Sequence, residues 1–328
     1  MPNIPNMKNE SGAVMVTGAT GFIGRALCAS LAANGYDVVA ASRQVGMPLS
    51  AGMRAVQVPE IGAETDWNDA LEGCAYIVHC AGMAQVSRGR DADTLSRYRS
   101  VNLEGTVRLA EQAAAQGVRR FVFFSSILVM GSYTEMGQPF TADDQCEPLE
   151  SYAISKWEAE RALFEVARKH AMELVVIRPP LVYGPGVSGN FKRLMQCVRA
   201  GFPLPLGAVH NLRSMVGMEN LLHFTLCCLQ HPAAANQVYL VSDGEDLSTT
   251  QLLQKIGLAL HRPARLFAVP GHWMMAGAGM LGIGDMARRF LGSLHADIGK
   301  NREMLGWKPP VSVDAGLQRT TDWFLRAK

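Results

Sequence analysis

Tyr152 and Lys156 stand four residues apart in Ser151-Tyr152-Ala153-Ile154-Ser155-Lys156, a run that reads as part of a helix. On a helix that spacing puts both side chains on one face, one turn apart. An ammonium held beside a phenol favours the phenolate and pulls the phenol below its usual pKa of about 10. A tyrosine so placed can take or give a proton near neutral pH. The spacing alone is weak, because 7 Tyr and 8 Lys in 328 residues produce roughly 0.2 such pairs by chance. Its meaning depends on what the rest of the chain places beside it.

Near the N-terminus, Ala13-Val14-Met15-Val16 reads as a buried strand leading into Thr17-Gly18-Ala19-Thr20-Gly21-Phe22-Ile23-Gly24. A helix then runs to about Asn34, Gly35 ends it, and a second strand follows at Tyr36 to Ala41. In such a βαβ opening a glycine-rich turn lets the backbone reach a pyrophosphate at a helix N-terminus. Gly18, Thr20, Gly21, Phe22, Ile23 and Gly24 are therefore candidate contacts to a dinucleotide. The bland alternative is a plain tight turn. The position of this GxxGxxG between a strand and an amphipathic helix favours the dinucleotide.

The end of the second strand reports on which dinucleotide. An NAD site usually places an acid there to bind the ribose 2′-OH. Here Val38-Val39-Ala40-Ala41-Ser42-Arg43 puts Ser42 at that point and Arg43 next to it. A carboxylate would repel a 2′-phosphate, whereas a hydroxyl and a guanidinium would bind it. The expectation is NADP(H) in preference to NAD(H), with NAD(H) as the second option and stacking of Arg43 on an adenine as the plainer reading.

The elements that must position these groups alternate. Further strands are expected at Arg54 to Val58, Tyr76 to His79, Arg120 to Phe124 and Leu174 to Arg178, with helices at Asp66 to Leu71, Asp93 to Gln116 and around Tyr152. Such alternation predicts an α/β fold, a Rossmann-type doubly wound parallel sheet. Cys80-Ala81-Gly82 follows the fourth strand, where small residues let a cofactor lie close, so Ala81 and Gly82 join the candidates. His79 reads as a strand-end packing residue and not a base. A strand at Gln237 to Val241 is expected to return to the main sheet. A helix from Ser248 to Leu260 carries Ser248 or Thr249 as N-cap. The stretch Ala268 to Gly284 reads as a buried core helix, Trp307 as a packing anchor, and Ser312 to Leu325 as the final helix. We expect a dinucleotide-binding domain over 12–180 with about 211–245. A smaller interlocked substrate lobe would take 181–210 and 246–328.

Composition excludes several classes. A net charge of +2 gives no reason to expect nucleic acid or an acidic membrane as the main partner. The 23 Arg against 8 Lys follow from a GC-rich genome as readily as from anion recognition. Seven scattered cysteines form no CxxC pair and no cluster with the eight histidines, so neither a metal site nor a disulfide framework is expected, and reduced thiols point to the cytoplasm. The polar N-terminal dozen has no signal-peptide core, and no stretch has the length and apolarity of a spanning helix.

These motifs together resemble the extended short-chain dehydrogenase/reductase family. The resemblance is carried by Gly18-Ala19-Thr20-Gly21-Phe22-Ile23-Gly24, by Asn102 in VNLEGT, by FVFFSSILVMG around Ser126, by Tyr152-x-x-x-Lys156 and by Arg178-Pro179-Pro180-Leu181-Val182-Tyr183-Gly184-Pro185-Gly186. It covers nearly the whole chain in order. It implies that Tyr152 is the general acid or base, that Lys156 lowers its pKa and binds the nicotinamide ribose, that Ser126 hydrogen-bonds the substrate oxygen, and that Asn102 props the helix and a relay water. Pro179 would touch the cofactor. Met130 departs from the family pattern, which usually has Tyr before the glycine. In the second half, Asn190 at a helix start and Arg213 in RSMVGMENL resemble diphosphate-binding positions. The segments are most similar to bacterial UDP-N-acetylhexosamine 4-epimerases and 4-ketoreductases of O-antigen and capsule synthesis, which implies a UDP-sugar substrate and, by analogy, a homodimer.

Three activities follow from that resemblance. A 4-ketoreductase would use NADPH to reduce the C4 ketone of a UDP-4-keto-6-deoxy-N-acetylhexosamine, with Tyr152 as acid. A 4-epimerase would use the same residues around tightly held NAD. A non-enzymatic dinucleotide binder would have no need of Tyr152, Lys156 and Ser126, which are all present. The catalytic residues do not separate the first two, and Ser42 with Arg43 favours the reductase.

Overall fold

Short apolar runs alternate with amphipathic ones down the chain, and each becomes a strand or a helix in the computed structural model. It describes residues 12–44, 52–58, 60–84, 92–280, 284 and 291–327. The first half runs β1 (Ala13–Thr17), α1 (Phe22–Ala33), β2 (Val38–Ser42), β3 (Met53–Gln57), α2 (Asn68–Leu71), β4 (Cys74–His79), α3 (Ala92–Arg99), α4 (Gly105–Ala115), β5 (Arg120–Phe124), α5 (Ser151–His170) and β6 (Glu173–Arg178). Beyond it lie β7 (Leu181–Tyr183), α6 (Gly189–Ala200), β8 (Met215–Gly217), α7 (Met218–Gln230), β9 (Gln237–Leu240), α8 (Thr249–Ala259), α9 (Gly271–Met280), α10 (Gly299–Leu305) and α11 (Val313–Arg326).

Seven strands form one sheet in the order β3-β2-β1-β4-β5-β6-β9, every neighbouring pair parallel. The order turns back between β1 and β4, which opens a crevice at the carboxyl ends of those strands. The glycine turn after β1 and the Ala81-Gly82 segment after β4 line it. As anticipated, β9 returns to the sheet, beside β6. A second, two-stranded parallel sheet pairs β7 with β8.

Alternate residues of each strand feed two cores. On one face Val14, Val16, Val78, Val122 and Ile177 pack with Leu27 and Leu31 of α1 and Leu221 and Phe224 of α7. On the other, Met15, Ile77, Phe121 and Phe123 pack with Leu109 and Ala113 of α4 and Leu163 of α5. Ser248 caps α8 in a capping box with Gln251, so the hydroxyl and the amide satisfy each other's backbone N–H.

Two expectations need correction. The helix anticipated over Asp93 to Gln116 is interrupted by a π-helical turn at Ser100–Glu104. A Cβ at Gly105 would lie 2.5 Å from Ile61 Cγ2, so the helix passes too close to this neighbour for any larger residue. The stretch from Ala268 is not a core helix over its described residues. In α9, Trp273 is 69 % exposed and Met280 91 % exposed. The sequence GHWMMAGAGM sets no apolar stripe against a polar one, so nothing in it selects a side to bury, and its Gly and Ala offer little area to hold. Positions 281–283 of that stretch lie outside the described residues, as do residues 1–11. Among the described residues, no helix is long and apolar enough to cross a membrane.

Trp307 is the packing anchor anticipated: it is fully buried, stacks edge-on against Phe224 at 4.7 Å and donates its indole N–H to His223 Nδ1 at 2.9 Å. Trp307→Ala is expected to cost about 3–5 kcal/mol of unfolding free energy, read from urea titrations at equal slope.

Candidate active site

Four elements converge on the mouth of the crevice. β5 ends at Phe124, and Ser125 and Ser126 continue from it, with Ser126 capping the short 3₁₀ turn Ile127–Val129. The Ser126 hydroxyl accepts the Leu128 N–H at 3.2 Å and acts on the Tyr152 phenol in the sense that favours its ionised form. Lys156 lies one turn along α5 and is only 4 % exposed. Its ammonium donates to the Phe124 carbonyl at 2.8 Å and sits 4.3 Å from the centre of the Phe123 ring. Asn102, buried in the π-helical turn, accepts the Met83 N–H at 2.8 Å and donates to the Met83 carbonyl at 3.0 Å. It also donates to Ser155 Oγ at 3.1 Å, and Ser155 in turn donates to the Tyr152 carbonyl. Asn102 thus fastens the segment after β4 to the first turn of α5.

The phenol does not titrate as the Tyr–Lys spacing suggested. Burial pushes Tyr152 up to about 12, the neighbouring Tyr98 adds to this, and the hydrogen bond from Ser126 opposes it. The spacing argument treated Lys156 as a free ammonium beside the phenol. Instead, the ammonium is committed to the Phe124 carbonyl, and burial lowers its own pKa to about 8. At neutral pH, Tyr152 is a neutral proton donor in this structure.

His79 bridges the threonines that bracket the site, with Nδ1 2.7 Å from Thr17 Oγ1 and Nε2 2.9 Å from Thr106 Oγ1. Thr17 Oγ1 also accepts the Ala81 N–H at 3.1 Å, which ties the segment after β4 to the end of β1. Burial first, then Lys156, holds this imidazole down at about 3, so it is neutral and serves packing, not proton transfer.

The crevice fits a dinucleotide. Gly18 has φ +66° and a Cβ there would sit 3.0 Å from Ala81 backbone atoms; at Gly24 it would sit 2.2 Å from the Gly18 carbonyl oxygen. Gly21 is the N-cap of α1 and donates to the Gly18 carbonyl at 2.8 Å, while Phe22 and Ile23 open the helix. A Cβ at Gly82 would lie 3.0 Å from Asn102 Oδ1 and 3.4 Å from Lys156 Nζ, so only glycine leaves that face open. Ser125 Oγ is buried with no hydrogen-bond partner beside these groups. Thr20 is partly buried in the same turn. The Pro179 carbonyl accepts the Ile127 N–H, which ties β6's end to the Ser126 turn. At the end of β2, the Ser42 hydroxyl donates to the Gln44 carbonyl at 2.9 Å, so it is engaged within its own turn, whereas Arg43 is exposed.

Asn190 is exposed at the second position of α6, whose N-cap Ser188 makes no side-chain capping bond. Arg213 bridges Leu247 and Leu294 through its backbone and donates to the Gly292 carbonyl at 3.1 Å. Tyr98 was missed by sequence reasoning, although its ring lies edge-on to Tyr152 at 5.9 Å. Its signal was the four-residue spacing to Asn102 along the same helical run.

Three outcomes are expected. Tyr152→Phe should lose about 10²–10⁴-fold in turnover with cofactor still bound. A phenol whose folded pKa is raised stabilises the fold fully below its unfolded pKa near 10, and that stability is lost as pH rises through 12. Urea midpoints should therefore fall more for the wild type than for Tyr152→Phe between pH 10 and 12. Gly24→Ala should lose bound dinucleotide, measured by extraction from the purified protein.

Residues 14–242 match the NAD dependent epimerase/dehydratase family. The chain is 41 % identical over 315 residues to a UDP-glucose 4-epimerase of Vibrio cholerae, covering 96 % of each. It superposes on MoeE5 in complex with UDP-glucose and NAD with a TM-score of 0.74 and 26 % identity, over 96 % of this chain and 99 % of that one. The UDP-glucuronic acid 4-epimerase of Bacillus cereus, in complex with NAD, shares the fold at a TM-score of 0.77 and 21 % identity, over 96 % and 99 % of the two chains.

Proposed function

The chain belongs to the NAD dependent epimerase/dehydratase family, and on that premise we propose that it is a UDP-hexose 4-epimerase acting on UDP-glucose or UDP-N-acetylglucosamine with resident NAD. The observation that carries the reading is the linked set of Ser126, Tyr152, Lys156 and Asn102 at the mouth of the crevice, in a chain so similar to a UDP-glucose 4-epimerase along its length.

Gly18, Gly21 and the start of α1 would hold the pyrophosphate, and Gly82, Lys156 and Pro179 would border the nicotinamide ribose. A nicotinamide bound there would supply reversible hydride acceptance at the sugar's C4. Acting as the phenolate, its own proton having left beforehand, Tyr152 takes the proton of the 4-OH as the C4–H bond breaks, leaving a 4-keto sugar. Ser126 donates to that carbonyl oxygen and keeps it beside the phenol. After the sugar turns its other face, Tyr152 returns the proton to the oxygen, so protons and electrons balance over the cycle. Because Tyr152 is held neutral by burial, the second half is the easier one for it. The first half needs the phenolate, which the hydrogen bond from Ser126 favours and burial opposes. Asn190 and Arg213 would meet the sugar's diphosphate.

A net 4-keto reduction is the second reading, favoured by Ser42 and Arg43, where a carboxylate would otherwise exclude a 2′-phosphate. Incubation without added cofactor separates the two. The epimerase converts UDP-glucose or UDP-N-acetylglucosamine to its C4 epimer with no net change in cofactor, and the extracted dinucleotide is NAD. Stoichiometric NADPH consumption, seen only with the 4-keto-6-deoxy sugar, would transfer the assignment to the reductase.

A further inference from the structure

The most deeply buried ion pair among the described residues lies directly behind the proton-transfer groups, and no step above uses it. Arg178 closes β6 and is 5 % exposed, while Glu160 lies one turn beyond Lys156 on α5 and is 3 % exposed. The pair is bidentate, with Arg178 Nε donating to Glu160 Oε1 at 3.0 Å and Nη2 to Oε2 at 2.6 Å. The third nitrogen, Nη1, contacts Met130 Sδ at 2.7 Å and the Ala142 carbonyl at 3.4 Å. Cys146 Sγ completes the cluster, 3.7 Å from Met130 Sδ.

One guanidinium thereby joins the end of β6 to the two segments that carry the reacting side chains. Glu160 belongs to the helix of Tyr152 and Lys156. Met130 follows the turn capped by Ser126. Pro179, next to Arg178, accepts the N–H of Ile127. A buried pair of this kind adds little net stability over apolar residues of equal size, because desolvation offsets the attraction. What it adds is geometry, since a planar fork meets a carboxylate in one orientation. Rotation of α5 about its axis would break both hydrogen bonds at once, and the same rotation would swing Tyr152 away from Ser126. The charge matters too: burial opposes the ammonium of Lys156, and Cys80 and then Glu160 favour it.

We infer that Glu160 and Arg178 are positioning residues for Ser126, Tyr152 and Lys156. The inference rests on the proposed roles of those three in proton transfer. The pair touches neither sugar nor cofactor, and it acts by fixing the roll of α5 against β6 and the Ser126 turn.

The test compares wild type with Glu160→Met/Arg178→Met, with Arg178→Lys and with Glu160→Gln. The double variant should keep the wild-type urea midpoint and bound dinucleotide while kcat falls about 10–100-fold at unchanged KM, as sub-ångström misplacement of reacting groups does. Arg178→Lys keeps the charge but loses the fork, and should show the same kcat loss. Glu160→Gln should shift the alkaline limb of the kcat–pH profile to lower pH, because Lys156 loses its ammonium sooner. Full kcat in the double variant overturns the inference. Should the double variant fail to fold, full kcat in Arg178→Lys overturns it in its place. A wild type that turns over none of the sugars sinks the proposed function instead. Amide exchange then decides the positioning claim: faster exchange at residues 127–130 and 151–156 in folded Arg178→Lys upholds it, and unchanged exchange overturns it.

Discussion

A lysine ammonium withdrawn from water must be given acceptors by the fold, and the way Lys156 is supplied organises the whole site. Its partner is the Phe124 carbonyl, the last of β5, and its underside is the ring of Phe123. For that bond to form, α5 must lie across the end of β5 at one height and one roll. Ala159 and Leu163 set the height through the core shared with Phe121 and Phe123. Asn102 holds the opposite side of the helix start through Ser155. A side chain at position 82 would press on Asn102 and on the Lys156 ammonium, with its Cβ 3.0 Å from Asn102 Oδ1 and 3.4 Å from Lys156 Nζ. The site is thus built at the carboxyl ends of the central parallel strands.

Much of this was legible in the sequence, because the relevant signals are short in range. The glycine turn declares itself by the strand before it and the helix after it, and α1 starts at the turn's end. Tyr152 and Lys156 share a helix, so their relation follows from spacing alone. His79 read as packing and is packing. Other features depend on what the chain brings together from afar. The π-helical turn at Asn102 arises where the helix passes Ile61 and Gly62. Desolvation of Tyr152 is a property of the assembled pocket, and it reversed the sign that the Tyr–Lys spacing implied. The apolar stretch from Ala268 resembles a core helix by composition, yet burial is decided by whether a partner surface is free to receive it.

In their proposed roles Ser126, Tyr152 and Lys156 move a proton, and those roles are silent on net direction. Oxidation and reduction at C4 need the same phenol, the same hydroxyl and the same lysine. The discriminating information lies at the other end of the dinucleotide, near Ser42 and Arg43, far from any bond being made. There the Ser42 hydroxyl donates to the Gln44 carbonyl, and Arg43 beside it is exposed.

The strand order has a consequence for how the molecule is made. β9, the last strand of the main sheet, is paired to β6, but β7, α6, β8 and α7 lie between them in the chain. During synthesis, β6 emerges with one edge unpaired, and that edge stays bare until the ribosome has passed Gln237–Leu240. Exposed parallel edges invite pairing with another chain. The nascent protein is therefore most prone to aggregation in that interval, and Asn236, whose side chain accepts the Leu174 N–H at 3.2 Å, sits where the closing of that edge begins.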